Sequence, residues 1–187
     1  KNMNINLYAH PEAFVEKYRK DTYIGSPFSI DEIKTKCNLV LSKEPMFISN
    51  NIILLGEIPR HTSFENKVPI GTKKTLKGNV DDYIVDDTAL VYKTKDGIFI
   101  ITGCSHSGIC NIIEYGKKVA DDDRVLGVIG GFHLSKLNEQ VEKTVKYLVE
   151  NKIEELYPCH CTSLLVKAEI HKNTPIKEVG VGLEINW

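Results

Sequence analysis

The pattern of apolar and polar positions changes character near the middle of this chain. In the first half the signals are short. Residues 4–8 alternate polar and apolar positions, which predicts a brief strand. Over residues 11–20, a leading proline and the pair Phe14 and Tyr18, four apart, predict a helix. A second short helix is expected over residues 31–38, capped by Ser29 or Asp31. Residues 46–48 and 52–55 read as strands within a β-like stretch. Residues 60–82, rich in Lys, Thr, Gly and Pro, read as one long loop, a length that often carries function in a compact domain.

The second half has a regular rhythm. Apolar residues at 88–92 and 98–102 flank the turn signal Lys95-Asp96-Gly97, so a hairpin is expected. Three strand–loop–helix units then follow. The strand ending at Thr102 leads through Gly-Cys-Ser-His into a helix over about 107–120. Residues 125–129 lead through Gly-Gly-Phe-His into a helix over 138–151, with Leu137, Val141, Val145 and Leu148 as its apolar stripe. Residues 155–157 lead through Cys-His-Cys-Thr into a helix ending near Lys172, and residues 179–185 read as a last strand. Such units in succession imply an α/β class with helices layered on a sheet. No repeat or linker interrupts residues 1–187, which read as a single domain.

Composition narrows the function classes. With 24 basic against 25 acidic residues, nothing points to a nucleic-acid or membrane-surface partner. No apolar run approaches the roughly 18 residues of a membrane span, and no signal-peptide pattern stands at the start. Five cysteines, an odd number, argue against a disulfide framework and for a reducing cytoplasm. A small-molecule substrate is the expected partner.

Chemistry concentrates at the three strand ends. Cys104 and His106 lie two apart and would share a side of an extended chain, a pairing that suits zinc or iron. The alternative is a buried Cys104 with His106 capping the next helix. In an extended Cys159-His160-Cys161 the cysteines face opposite to His160, so His160 is the ligand candidate and the cysteines are expected to pack. A zinc ribbon is excluded, since no second Cys-x-x-Cys pair exists. His133 follows two glycines, where backbone can approach a ligand, or it simply bonds at a helix start. His10 suits a cap at Pro11, His61 sits in the long loop, and His171 suits a helix C-terminus. A nucleophilic Cys104 paired with His106 or His133 is a minor alternative.

Taken together, Thr102 to Ile113, Gly130 to Leu134 and Cys159 to Thr162 resemble the metallo-β-lactamase-fold hydrolases. They are most similar to the dihydropterin synthase-like branch, named for an enzyme joining a 7,8-dihydropterin to a ribofuranosyl-aminobenzene phosphate. Tyr8-Ala9-His10-Pro11, Gly56-Glu57-Ile58-Pro59-Arg60 and the closing Val-Gly-Val-Gly-Leu-Glu-Ile extend the resemblance almost end to end. It implies an αββα sandwich holding one or two divalent metal ions, zinc foremost, with manganese, iron or magnesium as alternatives. His160 would be the late ligand, His106 and Cys104 further metal contacts, and His133 the catalytic residue at the rim. Metal-bound water would attack an ester or phosphoester; in the dihydropterin-type reaction the metal would instead hold a diphosphate leaving group.

Two departures qualify this. Ser163 stands where relatives tend to have glycine, and the family's His-x-His-x-Asp-His signature does not occur in the 187 residues. The match begins partway into the family pattern, at a Lys1, so the expectation is the C-terminal portion of the sandwich. Alone it would be weak or inactive, and its uncovered apolar sheet face would favour self-association. A scaffold that has lost its metal is the alternative outside the enzyme class.

Overall fold

The candidate loops sit at one edge of a mixed sheet. In a computed structural model, described here over residues 5–65 and 68–186, the first elements are β1 (Asn6–Ala9), β2 (Lys17–Arg19), β3 (Thr22–Tyr23), α1 (Ile30–Lys34) and β4 (Asn38–Leu41). Next come β5 (Met46–Phe47), β6 (Ile52–Leu54), β7 (Gly71–Thr75), β8 (Gly78–Asp82), β9 (Ala89–Lys93) and β10 (Ile98–Thr102). The chain then alternates α2 (Ile109–Ala120), β11 (Val125–Gly130), α3 (Glu139–Glu150), β12 (Glu155–Pro158) and α4 (Leu164–Asn173). This is the mixed α/β class expected.

The main sheet has the order β12-β11-β10-β9-β6-β5. Strands β10, β11 and β12 run parallel, joined by α2 and α3, so their C-terminal ends meet on one edge. Strand β9 pairs antiparallel with β10, closing the expected hairpin. Ile98 and Ile100 of β10 and Val91 of β9 project to one face and are fully buried with Ile112 and Ile113 of α2, Leu148 of α3 and Ile170 of α4. Val141, Val145 and Leu148 are buried as their spacing implies, whereas Leu137 stands outside α3 and is 54% exposed. On the opposite face Phe99 and Tyr157 pack with ring centroids 6.1 Å apart, and Ile101 is 41% exposed.

Caps set the helix boundaries. Ser29 and Glu32 form a reciprocal capping box on α1, so Ser29 rather than Asp31 is the cap. Asn138 caps α3 through Val141 N–H. Ser163, the departure from glycine, caps α4 by accepting from Val166 N–H, a side-chain bond that glycine cannot make and that is worth only a few tenths of a kcal/mol relative to it. No helix among the described residues is long and apolar enough to cross a membrane.

Three expected elements differ. Residues 11–20 do not form an α-helix: a 3-10 turn over Pro11–Phe14 gives way to β2, whose pairing with β3 and β7 outweighs one apolar pair at helical spacing. Residues 60–82 are not all loop, because β7 and β8 form a hairpin around Leu76 and Lys77 whose polar residues on both faces hide the alternation. Residues 66 and 67 of that stretch, like Asn4 of the first strand, lie outside the described residues. Residues 179–185 form no strand. Val181 is fully exposed, and Gly180 and Gly182 interrupt a segment that no strand among the described residues pairs with.

Candidate metal centre

The loop after β10 turns sharply. Ser105 has φ 54°, in the left-handed region, so the chain is not extended between Cys104 and His106 and the two side chains part. Such a conformation costs of order 1–3 kcal/mol. Local bonds offset it: Ser105 Oγ donates to Gly131 O at 2.7 Å, lies 3.2 Å from Thr102 Oγ1, and Gly131 N–H donates to Gly103 O. These bonds fix the His106 loop against the His133 loop.

The segment after β12 is a turn rather than an extended run, with Thr162 N–H donating to Cys159 O. It sends Cys159 Sγ back toward Tyr157 O, 3.3 Å away, and brings His160 and Cys161 toward Cys104. Cys104 Sγ lies 2.9 Å from His160 Nε2, and Cys161 Sγ accepts from His133 N–H at 3.2 Å. The sulfur and nitrogen donors of Cys104, His160 and Cys161 all fall within 4.8 Å of one another. The expectation that both flanking cysteines merely pack therefore applies to Cys159 but not to Cys161. Gly131 makes the approach feasible, because a Cβ there would run into Cys161 Sγ. Burial raises the Cys161 thiol to about 11, with the His133 N–H pulling the other way.

His106 faces His133 instead. Their ring centroids are 4.2 Å apart, tilted by 51°, and His133 also has a left-handed φ of 52°. Nδ1 of each ring is buried and has no hydrogen-bond partner among the described residues. Burial, then the neighbouring His133, holds the His106 pKa below 6.5; Asp87 and Asp86 oppose this and Arg60 adds to it. Two buried imidazole nitrogens without partners among the described residues lie beside a thiol–imidazole cluster, a cost unless something binds them.

Several supporting residues carried no clear sequence signal. Gly108, the N-cap of α2, has no side chain to cap with, and Glu65 supplies the missing acceptor from a distant loop. Its carboxylate accepts from Cys110 N–H, Asn111 N–H and Thr62 Oγ1 at 2.8–2.9 Å. Asn111 binds back to His61 N–H and Thr62 N–H, and Asp87 Oδ2 accepts from Ser107 N–H at 2.8 Å. The one available hint was a glycine opening an otherwise strong helix. His10 caps the Pro11 turn through Glu12 N–H, and its other nitrogen meets Glu57 at 3.2 Å. His171 accepts from Ile176 N–H at 3.2 Å, and His61 is exposed.

The crystal structure of Tm1679, a metal-dependent hydrolase of the β-lactamase superfamily, superposes with a TM-score of 0.84 and 30% identity, covering 98% of this chain and 72% of that one. The chain belongs to the metallo-β-lactamase superfamily. Two proteins of Methanocaldococcus jannaschii are similar in sequence to this superfamily member. The uncharacterized protein MJ0448 is 36% identical over 161 residues, 86% of this chain. A 7,8-dihydropterin-6-methyl-4-(β-D-ribofuranosyl)-aminobenzene-5'-phosphate synthase is 32% identical over 178 residues, 90% of this chain. The chain spans 59% and 60% of the lengths of these two relatives. No family model matches it. Among its homologues, then, are enzymes, and the superfamily fold implies binding of a divalent metal. A thiol, an imidazole and a second thiol at one sheet edge fit such an ion.

Proposed function

We propose that this chain contributes to a metal-dependent hydrolase acting on a small-molecule ester or phosphoester. Cys104, His160 and Cys161 would hold a divalent cation, with His106 and His133 as neighbouring contacts to metal or substrate. The observation that carries this reading is the convergence of the three donor atoms within 4.8 Å, beside two unpaired imidazole nitrogens. A divalent cation there would act as a Lewis acid toward a carbonyl or phosphoryl oxygen. The protein's own part is orientation and proton handling. Cys161 is fixed by His133 N–H, and the His106 and His133 loops are tied through Ser105 and Gly131. His133, whose buried Nδ1 has no hydrogen-bond partner among the described residues, would hold or move a proton during the reaction.

The relative named as a dihydropterin synthase favours a second reading, group transfer with release of diphosphate at the same residues. Metal analysis of the purified chain separates both from a non-catalytic scaffold. Stoichiometric zinc or manganese, lost in His160→Ala and in Cys104→Ser, is expected; no metal under any loading condition supports the scaffold. Assays on a phosphodiester, an ester and a dihydropterin diphosphate then distinguish hydrolysis from transfer.

A further inference from the structure

We infer that Cys104 and Cys161 form a reversible disulfide when the metal-free protein meets a peroxide, removing two of the three donors at once. The proposal takes its output from the metal reading above, but its chemistry rests on the sulfur geometry alone. The five cysteines are all free thiols, and the fold sorts them. Cys110 is fully buried in the core, and Cys37 is held against α1 by Ile33 O at 3.5 Å. Cys159, nearest to Cys161 in sequence, is aimed away at Tyr157 O. Cys161 instead points at the Cys104 segment, with its Sγ 3.6 Å from Cys104 O and within 4.8 Å of Cys104 Sγ. That gap is short enough for side-chain rotation to close to the ~2.05 Å of a disulfide.

The steps balance with hydrogen peroxide as oxidant. Cys104 sulfur attacks one peroxide oxygen, the O–O bond breaks, and Cys104 becomes a sulfenic acid while hydroxide leaves with the thiol proton as water. Cys161 sulfur then attacks the Cys104 sulfur; the S–O bond breaks and a second water leaves with the Cys161 proton. Two thiols are oxidised and one peroxide is reduced. Because Cys104 lies in the loop after β10 and Cys161 in the loop after β12, the bond would link the two loops and close the donor set.

The test is peptide mapping by mass spectrometry, under non-reducing conditions, of the chelator-treated chain after titration with hydrogen peroxide. The expected result is a single Cys104–Cys161 linkage with three thiols remaining of the five. It should persist in Cys159→Ser, disappear in Cys104→Ser and Cys161→Ser, and reverse with dithiothreitol. Zinc loaded beforehand should slow its formation at least ten-fold, and the oxidised chain should bind zinc at least ten-fold more weakly. A Cys159–Cys161 or intermolecular bond, sulfinic acid without a disulfide, or unchanged zinc affinity after oxidation would overturn the proposal. Zinc uptake without the mapped bond refutes the switch alone. A reduced chain that takes up no zinc refutes the metal reading and, with it, the switch's output.

Discussion

His106 and His133 face each other across two loops with ring centroids 4.2 Å apart, each with a buried, unpartnered Nδ1. A charge on the His106 ring is disfavoured by burial and then by His133 beside it. Asp87 and Asp86 supply part of the compensation, and Arg60 works against it. In the metal-free protein His106 should therefore titrate below 6.5 by NMR, and His133→Ala should move it back toward 6.5. The sign of the stability effect follows. With the folded value depressed, the stabilising contribution is present above pH 6.5 and is lost as pH falls through the folded value. Urea midpoints should fall between pH 7 and pH 5, and less steeply in His106→Gln. Equal slopes for the two proteins would contradict the assignment.

Gly131 is the position where the site and the backbone compete for one volume. A Cβ there meets Cys161 Sγ, Gly103 O and the His160 ring. Gly131→Ala should cost zinc affinity by more than ten-fold in isothermal titration, because it pushes two donors apart. Core residues such as Ile100 and Leu148 are elsewhere, so the far-ultraviolet circular dichroism should change little. Unchanged affinity would mean that Cys161 and His160 do not act together.

The regular half of the chain was readable because its elements satisfy themselves locally. Strands β10 and β11 are continuous apolar runs, and α2 and α3 carry apolar stripes. The chemistry-bearing residues were readable as a set for the same reason, since each follows such a strand. Their partnering was not. An extended-chain rule paired Cys104 with His106, but one left-handed residue, Ser105, reverses the geometry and sends Cys104 to His160. The same extended-chain rule sets Cys161 opposite His160, but the turn at residues 159–162 brings both donors to Cys104. The hairpin of β7 and β8 was missed because its pattern is polar on both faces, so stability comes from pairing rather than burial.

Glu65 caps α2 from a loop more than forty residues upstream, and it is only 4% exposed. Glu65→Ala leaves the Cys110 and Asn111 N–H groups buried without acceptors, at about 1–3 kcal/mol for each. Gly108 cannot compensate, because it has no side chain with which to cap the helix. Burial raises the Glu65 carboxyl above 4.5, more than its backbone and Thr62 bonds lower it. Its contribution is therefore fullest below pH 4.5 and declines as pH rises through the folded value. The urea-unfolding gap between the native chain and Glu65→Ala should narrow from pH 4 to pH 7. A gap that widens instead would show that the ionised carboxylate is the better cap.

Zinc should stabilise the fold if the Cys104–His160–Cys161 set is its site. An ion that binds only the folded chain adds about 2.7 kcal/mol at a hundred times its dissociation constant. Thermal melts with and without zinc should separate for the native chain and for Cys159→Ser, and coincide for His160→Ala. A zinc shift that survives His160→Ala would place the ion elsewhere.

Lys17 reaches the site indirectly. It is 4% exposed, ion-paired with Asp86, and its Nζ lies 3.6 Å from Asp82 Oδ2, an atom with no hydrogen-bond partner among the described residues. The other oxygen of Asp82 accepts from Ile84 N–H at 3.0 Å, so the carboxylate is held in place even without the lysine. This triad joins β2 to the segment between β8 and β9, whose next residue, Asp87, holds Ser107 N–H in the His106 loop. Lys17→Met would leave buried Asp82 and half-buried Asp86 without a counter-charge and should destabilise the chain by about 3–5 kcal/mol. Adding Asp82→Asn should recover part of that loss, because one uncompensated charge is removed. In the double variant, His106 should still show a perturbed NMR shift, since Asp86 has lost its partner and Asp87 is free to move. Additive losses in the double variant, or a His106 signal identical to that of the native chain, would show that the triad serves the small sheet alone.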